Sequence, residues 1–185
     1  MKNLNTCDYQ IVAIVQASTG SSRLLRKVLA DIGGRPLIAF LLERLRRCDV
    51  LDFIVLATTN QPDDDELVDL AESLGLNVVR GSEQDVLARF ALAAASTTAS
   101  TLVRVTGDCP LVDPDLLAQV ISEFHLQGVD YLSTCVPKPS AIPQLSGSMS
   151  PLGCEIAVSS VPDLCVTVQT CLQCAGPWKS KKTLR

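Results

Sequence analysis

The sequence predicts an α/β domain, a mostly parallel sheet with helices on both of its faces. Three observations carry this. Short apolar runs alternate along the chain with segments of helical period. The apolar runs show no polar alternation, as expected of parallel strands buried on both sides. Small and polar residues gather where several of these runs end, and the carboxyl ends of strands are where open α/β sheets take ligands.

Composition sets the bounds. At 185 residues the chain is long enough for one domain with a substantial core and short for two. A net charge of −4 and a pI near 4.9 argue against a nucleic-acid surface and leave the basic residues to act locally. Apolar residues make up 47 % but aromatics only 4 %, so the core is expected to be aliphatic. No run is long enough to span a membrane, and the start, MKNLNTCDYQ, lacks an apolar leader, so a cytoplasmic chain with reduced thiols is expected.

The elements follow in order. Ile11 to Val15 is the first strand, and Leu37 to Arg47 the first helix, with Pro36 suited to its first turn. Phe53 to Ala57 is the second strand. Pro62 to Leu74 is the second helix, and its acids Asp63, Asp64, Asp65 and Glu66 suit the positive end of the macrodipole better than a metal site. Gly75 closes it, Asn77 to Val79 is a short third strand, and Val86 to Ala95 a helix whose capping box is read as Ser82 with Asp85. Thr101 to Val105, Pro114 to Gln127 and Val129 to Ser133 complete the core as strand, helix and strand. His125 falls on the last helix and reads as a surface or packing residue.

Two stretches carry chemistry. After the first strand, Ala17-Ser-Thr-Gly20-Ser-Ser22 brings small residues whose amides approach an anion closely, with Arg23, Arg26 and Lys27 beside them. It fits neither the Walker nor the dinucleotide pattern, and read alone it is equally a surface turn with solvated charges. After the fourth strand, Thr106-Gly107-Asp108-Cys109-Pro110 sets a carboxylate at the sheet's edge. Such an acid wants a metal or a donor cluster, or else bonds its own turn.

Together QASTGSSRLLRKVL, the Gly-Gly-Arg-Pro turn, LATT, RGSEQDVLARF and VTGDCPLVDP resemble the cytidylyltransferase family of the acylneuraminate and 3-deoxy-manno-octulosonate cytidylyltransferases, most closely the spore coat polysaccharide biosynthesis type. The resemblance covers about Gln10 to Ser133. It implies a nucleotide-diphospho-sugar transferase-like, Rossmann-like fold and transfer of CMP from CTP to a sugar acid, with pyrophosphate released and Mg2+ as cofactor. It further implies that Ala17, Gly20, Arg23, Lys27, Thr58 and Gly107 bind the nucleotide and that Arg23, Lys27 and Asp108 act in catalysis. Arg80, Ser82, Asp85 and Arg89 would border the sugar, and Asp108 and Glu155 would hold the metal.

The chain also departs from the family pattern. Ser18 and Thr19 stand where Arg and Met are usual, and Leu25 and Arg26 replace a Pro-Gly bend. The second metal carboxylate is matched only by Glu155 in Ser150-Pro-Leu-Gly-Cys-Glu155, with Ala157 at the next acid. From 134 to 185 the chain holds five of its eight cysteines, with no clear helical period. Cys171 and Cys174, with Cys165 near them, have zinc-like spacing but no His joins them. The expectation is a core over 1–133 and a divergent tail over 134–185, disordered or from a shifted reading frame, with little regular structure past about 135. The functional expectation is a cytidylyltransferase, a homodimer if the tail permits. Two alternatives stay open: an inactive remnant that at most binds nucleotide, and a nucleotidyltransferase for another base or sugar.

Overall fold

The computed structural model describes residues 10–20, 24–134 and 156–160. Six strands form one sheet: β1 (Ile11–Gln16), β2 (Phe53–Thr59), β3 (Asn77–Gly81), β4 (Thr101–Thr106), β5 (Tyr131–Ser133) and β6 (Ile156–Ser160). Their order across the sheet is β3-β2-β1-β4-β6-β5. Strands β3, β2, β1 and β4 run parallel, and β6 is antiparallel to both of its neighbours. Among the described residues four α-helices accompany them: α1 (Leu37–Arg46), α2 (Asp65–Ser73), α3 (Val86–Ala95) and α4 (Pro114–Gln127).

Period-two alternation along β1 splits the core into two layers. Ala13, Val15 and Ala17 face α1, α2 and α4, joined by Leu56, Val103, Val105, Ile156 and Val158. Val12 and Ile14 face the other way, with Val55, Ala57 and Leu102, onto Phe90, Ala93 and Ala94 of α3. Helices therefore cover both faces, as the sequence predicts. The core is aliphatic, and Cys48 is packed into it, where burial pushes its thiol above the ordinary range.

Local chemistry explains the boundaries. Asp113 caps α4 by accepting from the backbone of Asp115 and Leu116, both at 3.0 Å, Pro114 opens the helix, and Gly128, at φ 60°, closes it. Gly33 and Gly34, at φ 63° and 87°, turn the chain between Asp31 and Pro36, which bridge as a short hairpin.

Several boundaries correct the sequence reading. Pro36 is the cap of α1 and precedes its first turn. The second helix begins as a 3-10 turn, Pro62–Asp64, before α2. Strand β3 continues to Gly81, and α3 is capped by Asp85, whose side chain accepts from Ala88 N at 2.8 Å. Ser82 instead accepts from the backbone of Gln84 and Asp85, so the box read from its spacing is a turn three residues ahead of the helix. The largest correction is β6. Little regular structure was expected past about 135, yet Ile156, Ala157 and Val158 are buried in the sheet between β4 and β5. The proposed cysteine cluster at Cys165, Cys171 and Cys174 lies outside the described residues.

Candidate functional site

The order β3-β2-β1-β4 reverses direction at β1. The chain leaves β1 toward β2 and β3, then returns through α3 to pair β4 on the opposite edge. A crevice opens at the carboxyl ends of β1 and β4, the kind of switch point where α/β sheets hold ligands. Gly107 N donates to Gln16 O at 2.7 Å there. A Cβ on Gly107 would stand 2.6 Å from Ala17 Cβ and 2.9 Å from Gln16 O. Both residues are small because their backbones touch, which sequence spacing alone does not show.

The loop beyond Ala17 is held from below. Thr19 N and Thr19 Oγ1 both donate to Asp64 Oδ1 at 2.7 Å, and Thr19 O accepts from Arg26 N at 2.9 Å. Arg26 has φ 55°, a left-handed conformation uncommon for a residue with a side chain. It delivers the chain into a 3-10 turn, Lys27–Leu29, and aims Lys27 across the crevice. Lys27 Nζ lies 2.5 Å from Asp108 Oδ2, with the two side chains 33 % and 41 % exposed. Burial raises the Asp108 pKa, but the Lys27 ammonium and the Thr106 hydroxyl outweigh it and hold the carboxyl below its ordinary range. The structure thus brings together Ala17, Gly107, Lys27 and Asp108. Arg23 and Glu155 lie outside the described residues.

Gly20 flanks a cavity of about 240 Å³ between the loop, with Ser18 and Thr19, and a far wall of Thr59, Gln61 and Glu83. A Cβ on Gly20 would come 3.1 Å from Glu83 Oε1. The wall's own residues are bonded within it. Arg80 donates to Thr59 O at 2.9 Å, Gln61 O at 2.8 Å and Asp65 Oδ1 at 2.7 Å. Buried Arg89 donates to Ser82 O at 2.9 Å, and burial lowers its pKa against the opposing pull of Asp64 and Glu83. Of the residues expected to border the sugar, Arg80 and Arg89 therefore spend side-chain bonds on shaping this wall, Asp85 on capping α3 and Ser82 on its turn. Thr58, expected at the nucleotide, is fully buried and donates to Asp64 Oδ2 at 3.0 Å, so it belongs to the floor.

Sequence reasoning missed two features. Asp64 is the inward-facing member of an acidic run whose other members face solvent, and a run of four acids does not reveal which one turns in. On the α3 face, Arg104 donates to Gln16 Oε1 at 3.1 Å and lies 5.5 Å over the Phe90 ring. Its position on an apolar strand was the available signal.

The family model described as Cytidylyltransferase matches residues 12–141. The chain belongs to the cytidylyltransferase family. The spore coat polysaccharide biosynthesis protein SpsF of Bacillus subtilis is 39 % identical over 125 residues, which cover 65 % of this chain and 52 % of SpsF. A 3-deoxy-manno-octulosonate cytidylyltransferase of Trichlorobacter lovleyi is 34 % identical over 117 residues, 62 % of this chain and 45 % of that protein. Among solved structures, a cytidylyltransferase of Leptospira borgpetersenii superposes with TM-score 0.72 at 28 % identity, covering 84 % of this chain and 62 % of that one. The chain spans about half the length of the curated relatives it matches. The fold is the nucleotide-sugar transferase-like α/β fold of these cytidylyltransferases.

For a divalent cation, the described residues offer one well-placed carboxylate. Among them no group of three or more His, Cys, Asp or Glu side chains gathers as a metal cage. Asp108 is still the kind of donor magnesium takes, a hard oxygen partly open to the crevice. One or two carboxylates with substrate phosphates and water is the usual manner of holding that ion.

Proposed function

We propose that the crevice binds CTP with Mg2+ and transfers its CMP group to a hydroxyl of a sugar acid, releasing pyrophosphate, for a surface polysaccharide or glycoconjugate. The observation that carries this reading is the Lys27–Asp108 pair at the switch point, set directly against the close contact of Ala17 and Gly107. Membership of the family supplies the reaction class. The names of SpsF and of the 3-deoxy-manno-octulosonate enzymes supply the polysaccharide context and the acidic sugar.

In this reading the acceptor hydroxyl attacks the α-phosphorus in line, forming one P–O bond as the bond to pyrophosphate breaks. Lys27 places positive charge where the pyrophosphate gains negative charge, and the family resemblance assigns Arg23 the same task. Ala17, Gly20 and Gly107 let backbone approach the nucleotide, and the cavity of about 240 Å³ beside Gly20 takes its base. Asp108, with Glu155, would hold the magnesium, which supplies charge neutralisation across the phosphate oxygens when bound. Among the described residues no helix is long and apolar enough to cross a membrane.

Calorimetry with CTP, with and without magnesium, tests binding, and Asp108→Ala is expected to abolish the magnesium dependence. Pyrophosphate release with a panel of sugar acids then tests turnover. Affinity for CTP that is the same with and without magnesium overturns the role of Asp108, and binding without release for any acid overturns the transfer.

A further inference from the structure

The acidic run after Pro62 contains one residue that the reaction scheme above does not use. Asp64 is 1 % exposed, while its neighbours Asp63 and Asp65 face solvent. Its carboxylate accepts from Thr19 N and Thr19 Oγ1 on one oxygen. The other oxygen accepts from Thr58 Oγ1, Thr59 N and Thr59 Oγ1. Among the described residues no cation makes an ion pair with it. A buried carboxylate with no ion pair is costly; the charge of buried Arg89 acts on it from beyond ion-pair distance, and the donors of two different elements offset the cost.

We infer that Asp64 is a positioning residue that sets the nucleotide loop, and through it Lys27, against the end of β2. The inference rests on the reading that this loop takes the nucleotide. Its geometry is continuous. Asp64 takes the N–H of Thr19, and the C=O of the same residue takes the N–H of Arg26, so both backbone groups of Thr19 are used to close the loop. Lys27 follows at once and reaches Asp108. A second acid of the same helix start, Glu66, pairs with the Arg26 side chain and grips the far end of the loop. Arg80 in turn fixes the corner that carries Asp64, by its bonds to Thr59 O, Gln61 O and Asp65. The Thr19 hydroxyl is itself one of the donors to Asp64.

The test uses the whole chain carrying Asp64→Asn, Thr19→Val or Thr19→Ser. Asparagine keeps the shape but turns one acceptor into an NH2 that faces a backbone N–H, of Thr19 or of Thr59, and valine keeps the shape of Thr19 without its hydroxyl. CTP affinity is measured by calorimetry well below the melting temperature, where a loss of stability alone leaves the affinity of the folded protein unchanged. Asp64→Asn is expected to raise the Kd for CTP about tenfold or more, Thr19→Val about fivefold, and Thr19→Ser less than about twofold. Folded Asp64→Asn protein that binds CTP as the parent does overturns the inference, and if that variant does not fold, equal affinities of the valine and serine variants overturn it. Amide exchange gives a readout free of nucleotide: Thr19 and Arg26 are expected to exchange about tenfold faster in Thr19→Val, with α4 unchanged. If the parent chain binds no CTP, the proposed function fails, while unaltered exchange at those two amides is what would sink the role of Asp64.

Discussion

Gly107→Ala is the sharpest perturbation of the crevice. Gly107 is not among the glycines at positive φ, so the backbone tolerates alanine and the whole effect is steric. The new Cβ would lie 2.6 Å from Ala17 Cβ, 2.9 Å from Gln16 O and 3.2 Å from Ala17 Cα. Carbon atoms in contact settle near 3.5 to 4.0 Å, so the two strand ends must part by about 1 Å. None of the three atoms sits on a flexible side-chain end that can rotate away. Overpacking of this kind costs about 1 to 3 kcal/mol, a fall in Tm of roughly 2 to 10 °C for a chain of this size. The separation also moves the nucleotide loop relative to Asp108, and a misplacement of about 1 Å at a reacting centre is enough for roughly a hundredfold loss of turnover. Thermal melts, CTP calorimetry and pyrophosphate release read the three consequences. A double change with Ala17→Gly removes the 2.6 Å contact but leaves Gln16 O, so partial recovery is expected. Gly107→Ala protein that melts and binds CTP as the parent does would refute the close contact as the reason for the glycine.

Lys27→Ala is expected to raise the Kd for CTP about tenfold and that for CMP less than threefold, because the proposed function assigns its ammonium to the outer phosphates; calorimetry with the two nucleotides compares them. The same variant should change stability by less than about 1 kcal/mol, since both side chains of its ion pair are about a third or more exposed. The carboxyls of Asp64, Asp108 and Glu43 all lie below their ordinary range in the folded chain. For a depressed folded pKa the stabilisation is present above the unfolded value, about 3.9 for Asp, and is lost as pH falls through the folded one. Urea midpoints are therefore expected to drop below about pH 4, and less steeply in Asp64→Asn. Val158→Asp places a charge in the fully buried centre of β6 and should cost about 4 kcal/mol or more by chemical denaturation, whereas a change near zero would show β6 to be dispensable.

Much of the sheet was legible because parallel strands announce themselves as unbroken β-branched runs, and β1, β2 and β4 were found within two residues of their bounds. Helix α4 was legible at both ends, since Asp113, Pro114 and Gly128 are local signals of start and stop. Signals of the same local kind misled at Ser82, where the spacing of a capping box belongs to a turn and the true cap is Asp85. At the site, sequence order placed Gly107, Asp108 and Lys27 in one crevice. It did not reveal that Lys27 and Asp108 pair, or that Gly107 abuts Ala17, because those contacts join segments 81 to 90 residues apart. Asp64 was hidden by its acidic neighbours, whose composition equally suits a helix start. Strand β6 was hidden by its brevity and its surroundings: IAVSS is a weak signal until β4 and β5 supply partners on either side.

That placement of β6 has a consequence for how the chain acquires its shape during synthesis. Among the described residues β5 touches the sheet only through β6, which leaves the ribosome after it. Until Ile156–Ser160 has emerged, β4 is an open parallel edge with unpaired amides and carbonyls, and β5 has no strand to join. An exposed edge of that sort is a template for pairing with another nascent chain. Arrest of translation just after β5 is thus expected to yield a species whose first four strands are formed and which is prone to associate edge to edge, and release of a few dozen further residues to cure it by inserting the missing strand.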